Sequence, residues 1–359
     1  MQAKILTKEQ EGLWTEFVKS HPFATIHQAP EWGRFQAEIP ARGKYWIVVL
    51  EDVSQEKPKI IGGTVLIKHS LPKGYSWLYS ARGPLLDYKS KNISAQVEVI
   101  LKEIEKIAKK ERSIFLRVDP PNDSFSDKHA PLSPFDSIKG FKPTKFGFQP
   151  EHTLIIDLTL PEEDILKQMK QKGRYNIKLA ERKKVEIKKT NIGNLQEFKK
   201  DLSDFYKILE ETTKRDKFTP HNKDYYEKML KNLNTPESEK ATLYLATYNG
   251  KAIAGLIATF FKDTATYYYG ASSNQHRNLM APYLLQWTAI KDAKEQGFQY
   301  YDFLGIAPKE AKNHPWRGVT EFKTKLGGFA TSHPQAMELP FKKLHYMLYK
   351  LYKIVRKVI

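Results

Sequence analysis

A pattern written twice constrains this chain more than any single motif. The first copy reads YWIVVLED (45–52), KIIGGTVLIKH (59–69) and YSWLYSARGPLLD (75–87), followed by SAQVEVILKEIEKIAKKE and SIFLRVDP (113–120). The second reads ATLYLATYNGK (241–251), AIAGLIATFFKD (252–263) and TATYYYGASSN (264–274), followed by APYLLQWTAIKDAKEQG and QYYDFLGI (299–306). Alternating apolar residues rich in Val, Ile, Tyr and Phe predict three antiparallel strands per copy, then an amphipathic helix and a further strand. The copies lie about 190 residues apart, far beyond a solenoid period, so they mark a duplicated domain.

Three strands, a helix and a strand build an α+β domain with a mixed sheet flanked by helices. That order matches the core of the acyl-CoA N-acetyltransferase fold (GNAT). The expected organisation is two tandem GNAT-like domains, residues 1–155 and 156–340, the second preceded by a basic helical segment. Residues 341–359 form a basic amphipathic C-terminal helix.

Composition narrows the partners. The chain carries 59 Lys+Arg against 41 Asp+Glu, a net charge of +18, which favours RNA, phosphorylated metabolites or an anionic membrane face. It has no cysteine, so disulfides, thiolate metal sites and cysteine nucleophiles are excluded. The N-terminal MQAKILTKEQEGLW lacks the apolar stretch of a signal peptide, and no segment has the roughly 20 apolar residues of a membrane span. These features predict a cytoplasmic protein with at most peripheral membrane contact. The ten histidines show no His-x-x-x-His pair with a local acid, and no Gly-x-Ser-x-Gly elbow occurs.

A GNAT domain that uses coenzyme A gathers backbone N–H groups around the pyrophosphate at a glycine-rich helix start. The equivalent turns here are SSNQHRNLMAPY (272–283), without glycine, and SARGPLLDYKSKN (80–92), where Gly83 precedes Pro84. Proline offers no N–H. Both turns argue that the fold is kept and the donor changed.

Four further segments, in order, carry a family resemblance: SARGPLLD, GRYNIKLAERKKVEIKKT (173–190), YYYGASSNQHRNLMAPYLLQW and VTEFKTKLGG. Together they resemble the FemABX peptidyltransferases over roughly residues 10–335. That resemblance implies transfer of an amino acid from aminoacyl-tRNA to the stem peptide of a peptidoglycan precursor, lipid-linked or UDP-linked. It also implies roles for single residues. Lys323 and Phe322 match a Phe-Lys pair, whose lysine acts in binding and transition-state stabilisation. Tyr269 and Tyr225 match substrate-contacting tyrosines, and Asp119 matches an acidic residue at a strand end. Two matches fail. Gln36 stands near a phosphate-binding lysine of a well-studied member type, and His221 stands where that type has an arginine. Either Arg34, Lys217 or Lys223 compensates, or the acceptor is the lipid-linked precursor. The coiled-coil arm of some relatives is missing; only KNLNTPESEK occupies its place.

Aminoacyl-tRNA is an activated ester, so transfer requires no metal or bound cofactor, only alignment and a fixed positive or hydrogen-bonding group at the developing oxyanion. Lys323 suits that role as a strand cation beside Phe322; the alternative is a solvent-facing strand lysine paired with Glu321. On an extended register, Lys325 shares its face. A period of two also puts Tyr267 and Tyr269 on one face, opposite Tyr268. Asp119 and Asp302 occupy equivalent strand ends in the two copies.

The run 166–190 holds Lys167, Lys170, Lys172, Arg174, Lys178, Arg182, Lys183 and Lys184. It reads as a solvated helix face or as a platform for tRNA phosphates, with Arg174, Lys178 and Arg182 as the named contacts. At the C-terminus, Leu344, Leu348, Leu351 and Val355 share a helical face among basic residues, which fits either a membrane surface or packing on the body. Two rival functions remain at this point: an acyl-CoA-dependent N-acyltransferase, and a non-catalytic RNA- or membrane-binding protein.

Overall fold

The computed structural model describes residues 1–54, 56–122, 134–235, 238–311 and 313–358. They form two compact units, Met1–Glu151 with Ser332–Ile359, and His152–Thr331. The first unit opens with β1 (Gln2–Ile5), α1 (Glu11–Ser20), α2 (Pro30–Ala37), β2 (Tyr45–Asp52), β3 (Lys59–Ser70), β4 (Ser76–Ala81), α3 (Ile93–Lys110), β5 (Ser113–Asp119) and β6 (Lys142–Pro143). The second contains β7 (His152–Asp157), α4 (Glu162–Gln168), α5 (Gln171–Arg182), β8 (Glu186–Lys189), α6 (Leu195–Asp216), α7 (Lys223–Leu233) and the short β9 (Asn234–Thr235) and β10 (Ser238–Glu239). It continues with β11 (Ala241–Tyr248), β12 (Lys251–Phe261), β13 (Thr264–Ser272), α8 (Ala281–Glu295), β14 (Tyr300–Gly305), α9 (Arg317–Lys323) and β15 (Phe329–Ser332). The chain then returns to the first unit as β16 (Met337–Pro340) and α10 (Lys343–Val358).

Each unit is built on one seven-stranded mixed sheet, ordered β1-β2-β3-β4-β5-β16-β6 and β15-β7-β14-β13-β12-β11-β8. The duplicated segments become β2-β3-β4-α3-β5 and β11-β12-β13-α8-β14. In each, the strands before and after the helix pair in parallel, because a helical crossover returns the chain in the same direction. At the β11–β12 hairpin, Asn249 and Gly250 both adopt positive φ (49° and 71°), the geometry that matches strand twist in a two-residue turn. Apolar spacing decides how the helices lie. Val97, Ile100, Ile104 and Ile107 form the buried stripe of α3, packed with Val48, Leu66, Leu78 and Leu116. In the second unit Leu284, Leu285, Trp287 and Ile290 of α8 cover one sheet face with Leu256, Ala258, Phe260 and Phe303.

The division of the chain differs from the sequence expectation. His152–Asp157 belongs to the second sheet, so the boundary falls at Glu151/His152 and not at 155/156. Residues 332–340, expected in the second domain, complete the first unit: β16 pairs antiparallel with β5, from Met337↔Val118 to Pro340↔Phe115. The physical reason is an ion pair. Glu338 accepts from Nε and Nη2 of Arg117 at 3.0 and 2.5 Å, both residues being wholly buried. Neither charge is tolerable there alone.

Candidate active site

Lys323 lies in the second unit, on a helix. VTEFKTKL alternates as a strand does, yet Val319, Phe322, Lys323 and Leu326 also follow the i, i+3, i+4, i+7 spacing of a helix face. The helix period prevails: Arg317–Lys323 is α9, and Thr324–Leu326 continues it as a 3-10 turn. Gly327 and Gly328, both at φ 88°, then redirect the chain into β15. A Cβ on Gly328 would strike the carbonyl oxygen of Ile155, so the double glycine is a requirement of that close approach. The strand predicted at Phe322 and Lys323 is therefore corrected, and with it the prediction that Lys325 shares the face of Lys323. Lys325 instead has its carbonyl engaged by the amide of Lys170 at 3.1 Å.

The Lys323 side chain is 5% exposed, which removes the reading of a solvated lysine. Its ammonium donates to the Gly305 carbonyl at 2.6 Å and lies 5.6 Å from the ring centre of Tyr267. Burial pushes the ammonium down to about 8, opposed by the nearby charge of Asp302. Since the folded value lies below the ordinary 10.5, the unfolded chain holds more protons between those two pH values. Stability should rise as pH increases through that window, and the full cost of the buried charge is felt below it. Urea midpoints measured across the same window check the sign. The neighbouring Phe322 ring packs on Tyr283 at 5.1 Å, nearly edge-on.

The place Lys323 reaches is distinctive. Parallel pairing of β13 with β14 covers Thr264↔Tyr300, Ala265↔Tyr301 and Thr266↔Asp302. Beyond it, Tyr267–Ser272 and Phe303–Gly305 run on without pairing to each other. The first unit shows no such parting, because β4 and β5 pair to their ends at Ala81↔Asp119. Side chains of α6 hold the freed end of β13: Thr212 Oγ1 accepts from the Ser272 amide at 2.9 Å, Arg215 donates to the Ser272 carbonyl at 3.0 Å, and Glu211 accepts from Ser273 and Asn274. Sequence reasoning passed over Glu211, Thr212 and Arg215, because their helix reads as ordinary amphipathic sequence.

Tyr269 does not share a face with Tyr267. A bulge between Ile257 and Ala258 pairs Tyr269 with Ile257 and Tyr267 with Ala258, leaving Tyr268 extra. One inserted residue reverses the alternation. Tyr267 thus packs with the α8 side of the core, whereas Tyr269 meets Tyr226 ring to ring at 5.0 Å and donates to the Tyr225 hydroxyl at 3.2 Å. His221 stacks on Tyr225 at 3.8 Å. The structure brings together Lys323, Tyr267 and Gly305 on one side, and Tyr269, Tyr225 and His221 on the other. Lys217, in left-handed conformation, closes α6 as an exposed C-cap, and Lys223 begins α7.

The basic run divides too. Arg174 donates to the carbonyl of Met169 and lies within reach of those of Leu166 and Lys167, so it caps the end of α4. Lys178 and Arg182 remain exposed on α5 with the exposed Tyr175, which Arg182 overlies at 5.8 Å. Gly173 admits the carbonyl of Lys325, which a Cβ there would strike.

At the start of α8 the amides of Leu279, Met280 and Tyr283 already donate to His276, Arg277 and Met280 carbonyls, and Pro282 has none. This helix start is poorly made for a pyrophosphate.

A sequence profile of the FemAB family matches residues 8–130, 139–252 and 237–354. The chain belongs to the FemAB family. Among curated relatives, the lipid II:glycine glycyltransferase of Staphylococcus haemolyticus is 24% identical, covering 87% of this chain and 87% of its own. The crystal structure of FemX superposes with a TM-score of 0.80 at 19% identity, covering 97% of this chain and 99% of that one. A tandem GNAT protein from the clavulanic acid biosynthesis pathway gives 0.55 at 11% identity, covering 94% and 98%. The fold of this FemAB protein is therefore two GNAT-like halves.

In its first unit, Arg34 and Asp119 are engaged by their own surroundings, and Gln36 is buried. Arg34 on α2 is ion-paired with Glu11 and, at 3.6 Å, with Glu31. Gln36 on the same helix is buried, with an amide nitrogen that lacks a hydrogen-bond partner. Asp119 is buried at the end of β5, where it accepts from the Tyr79 hydroxyl and from the amides of Phe148 and Gln149 at 3.3 and 3.0 Å. Burial raises its carboxyl above the ordinary value. The SARGPLLD turn owes its glycine to packing, since a Cβ on Gly83 would lie 2.5 Å from the Gln28 amide nitrogen.

Proposed function

We propose that this aminoacyltransferase moves an amino acid from aminoacyl-tRNA to the stem peptide of a peptidoglycan precursor, building an interpeptide bridge. The observation that carries the proposal is the buried Lys323 ammonium held by Gly305 where β13 and β14 part. In this reading the acceptor amine attacks the ester carbonyl and a C–N bond forms. The bond to the ribose oxygen breaks, and the proton lost by the amine ends on that oxygen. Lys323 supplies the fixed positive charge for the carbonyl oxygen, strengthened by its dry surroundings. Tyr267 and Gly305 position it; Phe322 and Tyr283 wall its helix; Tyr269, Tyr225 and His221 line the other face of β13 for substrate. Because only the ammonium form serves, transfer should decline as pH rises through about 8, a limb that a pH–rate profile with saturating acceptor would reveal.

The lipid-linked precursor is the favoured acceptor. Arg34 is neutralised by two glutamates, and Gln36 and His221 replace basic residues expected to serve a nucleotide diphosphate. The name of the Staphylococcus haemolyticus relative points the same way. Supplying charged tRNAs with either precursor form and following acceptor mass tests the reading. Addition of one amino-acid residue to the lipid-linked form supports it; exclusive use of the nucleotide-linked form refutes the acceptor assignment.

Exposed Tyr175, Lys178 and Arg182 on α5 form the proposed tRNA platform, Arg174 being committed to its cap. Lys178→Glu with Arg182→Glu should weaken tRNA binding about tenfold or more at low salt and flatten its salt dependence by about two counterions. Filter binding over a salt series measures both, and an unchanged affinity would remove α5 from the platform.

A further inference from the structure

We propose that the outward face of α10 is a docking surface for an anionic lipid bilayer. Among the described residues no helix is long and apolar enough to cross a membrane, so the surface would be peripheral. The helix turns inward a face of tyrosine, histidine and lysine, with the Tyr346 and Tyr349 rings packed on Phe115. Tyr346 and Lys350 donate to Glu338 at 2.6 and 2.8 Å, Lys350 also donates to Thr144 at 2.9 Å, and His345 meets the Tyr75 hydroxyl at 2.8 Å. These contacts complete the buried Arg117–Glu338 pair. The leucines are left outside: Leu344 is 63% exposed, Leu348 58% and Leu351 60%, with Met347, Ile354 and Val355 alongside them. An apolar stripe from Leu344 to Val355, about 18 Å of helix, is more than an ordinary soluble surface carries.

Charge selects the occupant. Residues 341–359 contain no Asp or Glu and, besides Lys350, whose charge is met by Glu338, include Lys342, Lys343, Lys353, Arg356 and Lys357, in a chain of net charge +18. A second copy would bring basic helix against basic helix. A bilayer with anionic headgroups accepts both the leucines and the charge. This surface is independent of the acceptor chosen above, so vesicle binding and transfer can fail separately.

The test is co-sedimentation of the full chain with vesicles of phosphatidylcholine alone and of phosphatidylcholine with phosphatidylglycerol. Binding should favour the anionic vesicles by about tenfold or more and weaken with salt. The L348D/L351D variant should lose about tenfold or more of that binding, with an unchanged melting temperature because both side chains are exposed. Three results would overturn the proposal: no anionic-vesicle binding, equal binding by the variant, or a wild-type dimer lost in the variant without vesicle binding.

Discussion

Lys323→Met should lower the transfer rate by about a hundredfold to a thousandfold, the range typical of removing one preorganised oxyanion-stabilising group. The fold should survive, because methionine, one atom shorter, keeps most of the apolar stem of a residue that is only 5% exposed. It should even melt at the same or a slightly higher temperature near neutral pH. The native lysine keeps a charge in a site that pushes its ammonium down to about 8, and removing a desolvated charge relieves that cost. Loss of rate without loss of stability separates a catalytic lysine from a structural one. Lys323→Arg should not rescue, since the bulkier planar guanidinium does not fit a slot closed by Gly305 and Tyr267. Lys325→Met, on the following turn, should stay within about threefold of wild type. Single-turnover rates and thermal melts on these variants give the comparison.

The second large effect concerns stability. Glu338→Ala should destabilise the protein by about 3–5 kcal/mol, read from the urea midpoint. The substitution leaves the Arg117 guanidinium buried among Trp77, Phe115 and Phe148, where one of its nitrogens already has no hydrogen-bond partner. It also removes the acceptor shared by Tyr346 and Lys350, so α10 should loosen. Replacing both charges, Arg117→Met with Glu338→Met, should recover a good part of the loss. A double variant as unstable as Glu338→Ala would mean that packing, not an unpaired charge, sets the cost.

The duplicated architecture was legible because strand alternation and helical spacing are local properties, and each copy repeats them. The placement of Lys323 was half legible. VTEFKTKL fits both periods, and what decides between them is the burial of Lys323 and Leu326, with Phe322 half-buried against Tyr283, among elements far away in sequence. The opposed faces of Tyr267 and Tyr269 could not be read from YYYG, since a bulge is defined by the partner strand. The return of residues 332–359 to the first unit depends on Glu338 meeting Arg117, 221 residues earlier, a pairing with no local signature. Arg174 illustrates the opposite case: in a run of like charges, the residue that caps a helix looks like its neighbours until carbonyl positions are known.

The buried Lys323 is proposed to stabilise the transition state of aminoacyl transfer on a GNAT-like fold. The most direct test of this role is single-turnover reaction of aminoacyl-tRNA with the lipid-linked precursor, using wild type and Lys323→Met and following the mass of the acceptor. The acceptor should gain one amino-acid residue with wild type, at a rate that falls about a hundredfold or more in the variant. Equal rates for the two proteins would contradict it, as would a wild type inert toward every charged tRNA but active with an acyl-CoA.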